Sequence, residues 1–229
     1  MRAVCASNIG QNIKVMHLHA KDNNGKAWDS DPKDDYGLTM RRFKSETVGY
    51  DMRRFIAPYV SGKDFNTFIT DDAEDLPTWS CPAIGAPAID HKDNTRTWTY
   101  MGLTYFPGNK WPFAQMTHED IDPNWDRLPL YMSELANFVV QQDNTTDNSG
   151  TYEFNHGSGE LGTLVKDGTE LTTNPSFTVK KCSSKKSIKG SIMGYGDGSV
   201  VWKYIGALQD VGQFHRSISS KRLFSLPPR

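Results

Sequence analysis

The first 26 residues, "MRAVCASNIGQNIKVMHLHAKDNNGK" (1–26), predict a helix that runs into a turn. Ile9, Ile13 and Met16 recur at helical spacing, which places them on one side of a helix with about 3.6 residues per turn. The segment 22–25, Asp-Asn-Asn-Gly, is rich in residues that end helices, since Asn and Gly adopt left-handed backbone conformations at low cost. We therefore expect residues 1–25 to form a helix with one buried stripe.

The beginning of this helix lacks a capping signal. Residues 1–4, Met-Arg-Ala-Val, include no Ser, Thr, Asp or Asn, the residues whose side chains accept hydrogen bonds from the amides of a first helical turn. A helix with this start has the pattern of the rear part of a longer helix. We expect the front part of this helix to precede Met1 in the native reading frame.

Composition excludes several classes of protein. The 229 residues carry a net charge of -1, and 37% of them are hydrophobic. The sequence has no apolar run near the roughly 18 to 20 residues of a membrane helix and no signal-peptide pattern. A near-neutral chain has no overall field that would attract nucleic acid. The five lysines of 180–189 are typical of a solvated face or a protected sheet edge.

The middle of the chain has mixed character. A helical pattern at 45–60 precedes a Trp-, Tyr- and Thr-rich segment that predicts a strand at about 97–106, with a turn at 107–109. A few helical residues leading into a strand are expected over 133–143. The Asn-, Asp- and Gly-rich segment 143–150 predicts a turn.

The last third predicts antiparallel strands. Segments 159–173 and 190–205 each hold an Asp-Gly pair between apolar runs, a strong hairpin signal. Asp167-Gly168 and Asp197-Gly198 are the expected type I′ turns, with positive φ at both central residues. Two such hairpins in sequence indicate an antiparallel meander, which an N-terminal helix can cover. The predicted fold class is α+β.

Three cysteines, Cys5, Cys81 and Cys182, lie far apart in the sequence. They form no C-x-x-C pair, which argues against a zinc ribbon or a redox motif. One disulfide with one free thiol is one alternative, and free buried cysteines are the other. We favour free cysteines.

Several short motifs together resemble a known family. They are Cys5, Asn8 and Gln11 in the pattern C-x-x-N-x-x-Q, the 22–25 turn, Cys81-Pro82, the aromatic strand "TWTYMG" (97–102) and "GYGDGSVVW" (194–202). The chain is similar to bacterial type IV pilin-like proteins and type II secretion pseudopilins. It resembles in particular the subfamily that has a prepilin-type N-terminal motif and a His-x9-Asp-Gly signature near the end.

The signature is incomplete in this chain. The position ten residues before Asp197 is Ser187, not His. His156 precedes Asp167-Gly168 with ten intervening residues instead of nine. Either the upstream hairpin matches with one insertion, or the downstream hairpin has lost its histidine.

The resemblance implies a structural role. The expected fold is pilin-like: the rear half of the N-terminal helix (1–25) packs on a C-terminal antiparallel sheet within one globular head (26–229) that has long irregular insertions. The implied partners are further copies or related pilin-like subunits, with Ile9, Ile13 and Met16 as the core and assembly stripe. The implied location is the bacterial envelope, with an inner-membrane anchor and a periplasmic or extracellular head, in a secretion or pilus system.

We expect no catalytic site and no metal site, because the sequence lacks the common nucleophile, phosphate-binding and zinc-protease motifs. His17 and His19 lie on different sides of a helix and cannot grip one metal ion together. Oxygen ligands at 22–35, 71–75 and 143–148 do not fit an EF-hand loop, although the resemblance allows a structural calcium ion. His156 lies among glycines, which would let a ligand or another chain approach closely. It is therefore the residue to examine for function.

An alternative function is a secreted carbohydrate-binding module. Its stacking residues would be the aromatic side chains of the middle segment: Trp98, Tyr100, Tyr105, Trp111 and Trp125. Aromatic residues of a domain this size are mostly used in core packing, so this function is second. An envelope hydrolase is third, because no triad or metal motif supports it.

Overall fold

The structure is a computed structural model that describes residues 1–27, 38–44, 58–59, 81–84, 90–93, 96–107, 129–163, 165–166, 169–170, 178–213 and 221–226. The helix α1 spans Arg2–Asp22. The strands are β1 (Leu38–Lys44), β2 (Asp90–Asp93), β3 (Arg96–Tyr105), β4 (Val139–Asp143), β5 (Thr145–Asn148), β6 (Thr151–Phe154), β7 (His156–Gly157), β8 (Glu160–Thr163), β9 (Val165–Lys166), β10 (Thr169–Glu170), β11 (Thr178–Cys182), β12 (Ile188–Tyr195), β13 (Val200–Tyr204), β14 (Gln209–Gln213) and β15 (Lys221–Ser225). Short 3₁₀ turns occupy Pro82–Ile84, Lys185–Ser187 and Ile205–Ala207.

Helix α1 ends where the sequence predicts. Met1 precedes its first turn and makes no capping side-chain hydrogen bond. At the other end, the amide of Gly25 donates to the carbonyl of Ala20 over 2.7 Å, and Asn24 and Gly25 have φ values of 55° and 83°. These left-handed residues satisfy the last carbonyls of the helix, so the 22–25 turn ends it as expected.

The described strands form two main antiparallel sheets and a two-stranded ribbon. The first sheet has the order β1-β3-β4-β12-β13, with β2 added to β3 and β7 added to β12. The second has the order β14-β15-β5-β6-β11-β8, and β9 pairs with β10. Strands β4 and β5 are separated by Asn144 alone, so the chain passes from one sheet into the other at this point.

Helix α1 packs on the first sheet, against β4, β12 and β13. Ile9, Ile13 and Met16 are fully buried there, which confirms their predicted burial. Burying each such side chain contributes roughly 1.5–3 kcal/mol to the free energy of unfolding. The broad prediction of an N-terminal helix on an antiparallel sheet, an α+β fold, is therefore confirmed.

Close contact between helix and sheet requires a glycine at position 194 in β12. A Cβ atom added there would overlap the Cδ1 atom of Ile13 and would lie 2.6 Å from the Cγ2 atom of Ile9. The helix can therefore sit close to the strand only because Gly194 has no side chain.

The second predicted hairpin is confirmed, but its turn differs from the prediction. Strands β12 and β13 pair in register from Gly190 with Tyr204 to Gly194 with Val200. In the turn, Gly198 has φ of 89° and Asp197 does not have positive φ. The Asp197 carboxylate instead accepts hydrogen bonds from the amide and the hydroxyl of Ser199, at 2.8 and 2.6 Å. The loop is one residue longer than a type I′ turn, so one left-handed glycine suffices.

The meander prediction is wrong. Within 159–173, β8 pairs with β11, and the hairpin that the described residues show consists of β9 and β10. Strand β12 pairs with β4, β7 and β13, so the two hairpins are not neighbours in a sheet. Turn residues specify local reversal, whereas the partner of each strand depends on contacts between distant segments.

The prediction of a turn at 143–150 is wrong in its first part. Residues 145–148 form strand β5, and the turn is confined to Ser149 and Gly150, with φ values of 52° and 86°.

The strands predicted near 97–106 and 138–142 are confirmed as β3 and β4. Residues 133–138 form turns rather than a helix. The helix predicted at 45–60 lies outside the described residues except for 58–59.

We predict that Gly194→Ala lowers the free energy of unfolding by about 1–3 kcal/mol, because the added methyl group forces α1 away from β12. Gly206→Ala is the matched control, since a Cβ atom at Gly206 meets nothing within 4 Å and should change stability by less than about 0.5 kcal/mol. Urea denaturation measures both. Equal stability of the two variants would contradict the close packing.

A buried histidine lies at the C-terminal end of α1. The ring of His19 stands edge-on to that of Tyr59, with centroids 6.2 Å apart, and Tyr59 donates to the Asp22 carboxylate over 2.8 Å. The side-chain amide nitrogen of Asn23 lies 3.3 Å from Nδ1 of His19, a contact that suits a neutral ring. Burial lowers the pKa of His19, and the negative charge of Asp22 opposes this shift only in part.

We predict that His19 makes the protein less stable in weak acid. Its pKa is lowered by folding, so the unfolded chain takes up the proton first as the pH falls through about 6.5. The change in Tm from about pH 7.5 to about pH 5.5 should therefore be more negative for the wild type than for His19→Gln. His17→Gln makes the same change at an exposed position of α1 and should keep the wild-type slope. Identical slopes for all three proteins would refute the prediction.

Candidate functional site

Four chemically reactive side chains meet inside the molecule. Cys5, Cys81, Asp143 and His156 each offer one ligand atom, and these atoms all lie within 4.8 Å of one another. All four residues are buried. They come from four segments that are distant in sequence, so the tertiary fold alone brings them together.

The elements of the first sheet and the helix position this cluster. Cys5 lies one helical turn before Ile9 and so belongs to the buried side of α1. Cys81 immediately precedes the 3₁₀ turn Pro82–Ile84. Asp143 ends β4 and His156 begins β7, and both strands pair with β12. Strand β12 therefore sets the separation of the carboxylate and the imidazole.

The carboxylate of Asp143 is the most highly bonded group of the cluster. Its Oδ2 atom lies 2.9 Å from Nε2 of His156 and accepts a hydrogen bond of 3.0 Å from the amide of Ile192. Its Oδ1 atom accepts from the side-chain amide of Asn155 over 3.1 Å. These partners hold the carboxylate in one orientation.

The sulfur of Cys81 lies 3.7 Å from the same Nε2 atom of His156. The histidine ring also contacts Trp202, whose ring is nearly perpendicular to it at a centroid distance of 5.3 Å. The imidazole is therefore held between a carboxylate, a sulfur atom and an aromatic ring.

The environment favours charged forms of His156 and Cys5. Burial on its own lowers the pKa of His156, but the hydrogen bonds and negative charges of Asp143 and Cys5 outweigh it and raise the pKa to about 9. The hydrogen bond with Cys81 has the largest effect on the pKa of the Cys5 thiol. Together with His156, it lowers this pKa to about 6, against the opposing effect of burial. The same pairing with Cys5, together with burial, raises the pKa of Cys81.

This combination of residues is not arranged as a catalytic triad. A triad histidine uses one ring nitrogen for the nucleophile and the other for the carboxylate. Here the Nε2 atom of His156 contacts both Asp143 and Cys81. The buried sulfur atoms also offer no surface to a substrate. Two sulfur atoms, one nitrogen and one carboxylate oxygen are, by contrast, a complete set of donors for a metal ion.

The structure brings together three of the motif residues taken from the sequence and leaves the others elsewhere. Cys5, Cys81 and His156 join the cluster. Asn8 is buried, Gln11 is exposed and donates to the hydroxyl of Ser7 over 3.3 Å, and Pro82 is exposed. Asp197 and Gly198 form an exposed turn. Asp167 and Gly168 lie outside the described residues.

His156 lies beside the strand that follows Ser187. Gly157 pairs with Ile188, His156 pairs with Gly190, and the amide of Ser158 donates to the carbonyl of Ser187 over 2.9 Å. The histidine thus occupies the neighbourhood of the position at which the downstream hairpin lacks one.

Asp143 is the member of the cluster that the sequence did not reveal. It was expected in a turn, because 143–150 is rich in turn-forming residues. The available signal was weak: Gln141, Gln142 and Asp143 follow the apolar pair Val139-Val140, and such a polar run in a strand suggests a buried hydrogen-bond network.

That network is present. The side-chain amide of Asn12 in α1 donates to Gln141 over 3.1 Å. Gln142 donates to the carbonyl of Phe224 over 2.9 Å and accepts from the hydroxyl of Ser225 over 2.6 Å. These buried bonds tie strand β4 to the helix on one side and to β15 of the second sheet on the other.

The other candidate sites receive less support. Tyr105 is fully buried and cannot stack on a sugar. The side chains of Trp98 and Tyr100 are not described, and Trp111 and Trp125 lie outside the described residues.

Among the oxygen-rich segments considered for calcium, 143–148 comprises the last residue of β4, Asn144 and strand β5. Asp143 faces thiol and imidazole groups there, which suit softer metals than calcium.

Comparison of the chain with family models, with curated proteins and with solved structures gives no match in any of the three. Among the described residues, no helix is both long enough and apolar enough to cross a membrane. The structure therefore defines this chain by its coarse class, an α+β protein with a buried Cys-Cys-Asp-His cluster.

We predict that Asp143→Ala lowers the free energy of unfolding by about 3–5 kcal/mol, because it leaves His156 and two buried N–H donors without their acceptor. Asp147→Ala is the matched control. Asp147 accepts one bond of 2.7 Å, from the amide of Gly150 in an exposed turn, so its loss should cost at most about 1.5 kcal/mol. Thermal and urea denaturation measure both variants, and equal losses would contradict the central role of Asp143.

Proposed function

We propose that this protein is a pilin-like structural subunit that assembles with copies of itself or with related subunits in a bacterial secretion or pilus-type system. The observation that carries the proposal is the docking of one face of α1 along its length on β4, β12 and β13. A helix held in this way is a rigid support that can present its opposite face and its first turn to a neighbouring subunit.

The exposed side of α1 supports this role. Met1, Val4 and Leu18 are large apolar residues of the helix or its start, with 76%, 51% and 47% of their surface exposed. The first helical turn has no acidic residue, although acidic groups are favourable at this end of a helix. The exposed side chains of Val4 and Leu18 are suited to contact with another helix or an apolar surface.

The first turn is also held in place on its inner side. The guanidinium group of Arg2 lies over the ring of Trp202 in β13, at 4.6 Å from its centroid, a stabilising cation–π contact. Cys5, in the next turn, is buried in the cluster. Val4 is thereby fixed in an outward position, which reduces the entropy lost on assembly.

The envelope location belongs to the same proposal. An inner-membrane anchor with a periplasmic or extracellular head is what the resemblance of the motifs to pilin-like proteins implies. Among the motif residues of the described part, Cys5 of α1 and Cys81 come together with Asp143 and His156, and this contact between distant segments supports a structural role for the two cysteines.

The test uses cells that produce the protein from its own gene. Amine-reactive cross-linking of intact cells should give multimers of the wild type, and Val4→Glu should reduce them several-fold, because it introduces a charge at the proposed contact. His17→Glu changes another exposed position of α1 to the same residue without removing an amine and should affect the multimers less. Cell fractionation should recover the wild type with the envelope.

Two results would overturn the proposal. One is recovery of the wild type entirely in the cytosol without cross-linked multimers. The other is an equal yield of multimers from the wild type and Val4→Glu, provided that the purified variant has the wild-type Tm.

A further inference from the structure

We propose that Cys5, Cys81, Asp143 and His156 form a structural zinc site that binds one Zn²⁺ ion through two thiolate sulfurs, one imidazole nitrogen and one carboxylate oxygen. This inference concerns the buried cluster alone. It is independent of the proposed assembly function.

The donor set is the first argument. Zinc in structural sites takes four ligands from Cys, His and Asp or Glu side chains in a tetrahedron. Thiolate and imidazole donors together select zinc over calcium or magnesium, which prefer oxygen. The cluster supplies two thiols, an imidazole and a carboxylate, so every position of a tetrahedron has a donor.

The distances are the second argument. Ligand bonds of about 2.0–2.3 Å in a tetrahedron place the donor atoms about 3.3–3.8 Å from one another. The sulfur of Cys81 and Nε2 of His156 are 3.7 Å apart, and all donor atoms lie within 4.8 Å of one another. The 2.9 Å contact between His156 and Asp143 would lengthen slightly, as a hydrogen bond gives way to two bonds to the metal.

The surroundings are the third argument. Metal-binding side chains are usually oriented by further hydrogen bonds. Asp143 is held by Asn155 and by the amide of Ile192, and His156 is held by the ring of Trp202. Because all four donor residues are buried, the site has the closed character of a structural zinc site rather than the open position of a catalytic one.

Binding exchanges protons for the ion. The thiols and the imidazole bind Zn²⁺ in their deprotonated forms, so any protons that they hold beforehand pass to solvent as the ion enters. The ion then connects the helix, the segment before Pro82 and two strands through direct bonds.

A disulfide between Cys5 and Cys81 is the competing state. It would use two of the four donors and would leave His156 and Asp143 as a buried ion pair. The presence of the other two donors at metal-binding distances favours zinc, and the experiment below separates the two states.

The experiment begins with the full chain, reduced, treated with a chelator and kept free of oxygen. Titration with Co²⁺ alone should produce a thiolate-to-cobalt charge-transfer band and the intense visible bands of tetrahedral cobalt, saturating at one ion per chain. Added Zn²⁺ should abolish these bands. Protein isolated anaerobically from zinc-containing medium should contain one zinc ion per chain by elemental analysis.

Cysteine variants give a matched comparison. Cys5→Ser and Cys81→Ser should lose most of the charge-transfer band and bind cobalt at least about tenfold more weakly. Cys182→Ser makes the same change at a cysteine outside the cluster, which donates to the carbonyl of Ser184, and should behave as the wild type. Circular dichroism tests whether each variant is folded. If a cluster variant does not fold, the titration of the wild type decides the question by itself.

Three results would overturn the proposal. They are a folded, reduced wild type that shows no thiolate-to-cobalt band, a band that Cys182→Ser loses as fully as the cluster variants do, and an anaerobically isolated protein that holds a Cys5–Cys81 disulfide and no zinc.

Discussion

The fold depends on how one buried carboxylate is satisfied. A carboxylate removed from water is costly unless each oxygen has partners, and Asp143 obtains its partners from Asn155, His156 and the backbone of β12. Because Asp143, His156 and Ile192 belong to different strands, satisfying the charge fixes the relative positions of β4, β7 and β12. The buried charge is therefore better understood as a constraint on arrangement than as a source of net stability.

The helix adds the second constraint. Gly194 lets α1 approach β12 closely enough for Ile9 and Ile13 to be fully buried. The same approach carries Cys5, one turn earlier, to Cys81 and His156. Apolar packing and the polar cluster are thus consequences of one contact between helix and strand. Asn12 extends that contact through its bond to Gln141.

These features suit a subunit that must present a rigid helix. The inner face of α1 is held by apolar packing, by the cluster and by the Arg2–Trp202 contact, whereas Met1, Val4 and Leu18 remain exposed on its outer side. A bound zinc ion would strengthen this arrangement by direct bonds between helix and sheet. It would do so at the N-terminal part of α1, where the proposed contact with neighbouring subunits lies.

The local elements could be predicted from the sequence alone. The spacing of Ile9, Ile13 and Met16 predicted the buried side of α1, the 22–25 turn predicted its end, and Asp197-Gly198 predicted the β12–β13 hairpin, because each signal acts within a few residues. Cys5 and Cys81 were singled out because their motifs resemble those of pilin-like proteins, and His156 also because it lies among glycines. The tertiary structure was needed to show that β8 pairs with β11 and that 145–148 is a strand. It alone placed Asp143 between the cysteines and the histidine, since strand partners and buried polar contacts join segments that are far apart in the chain and leave no periodic pattern in it.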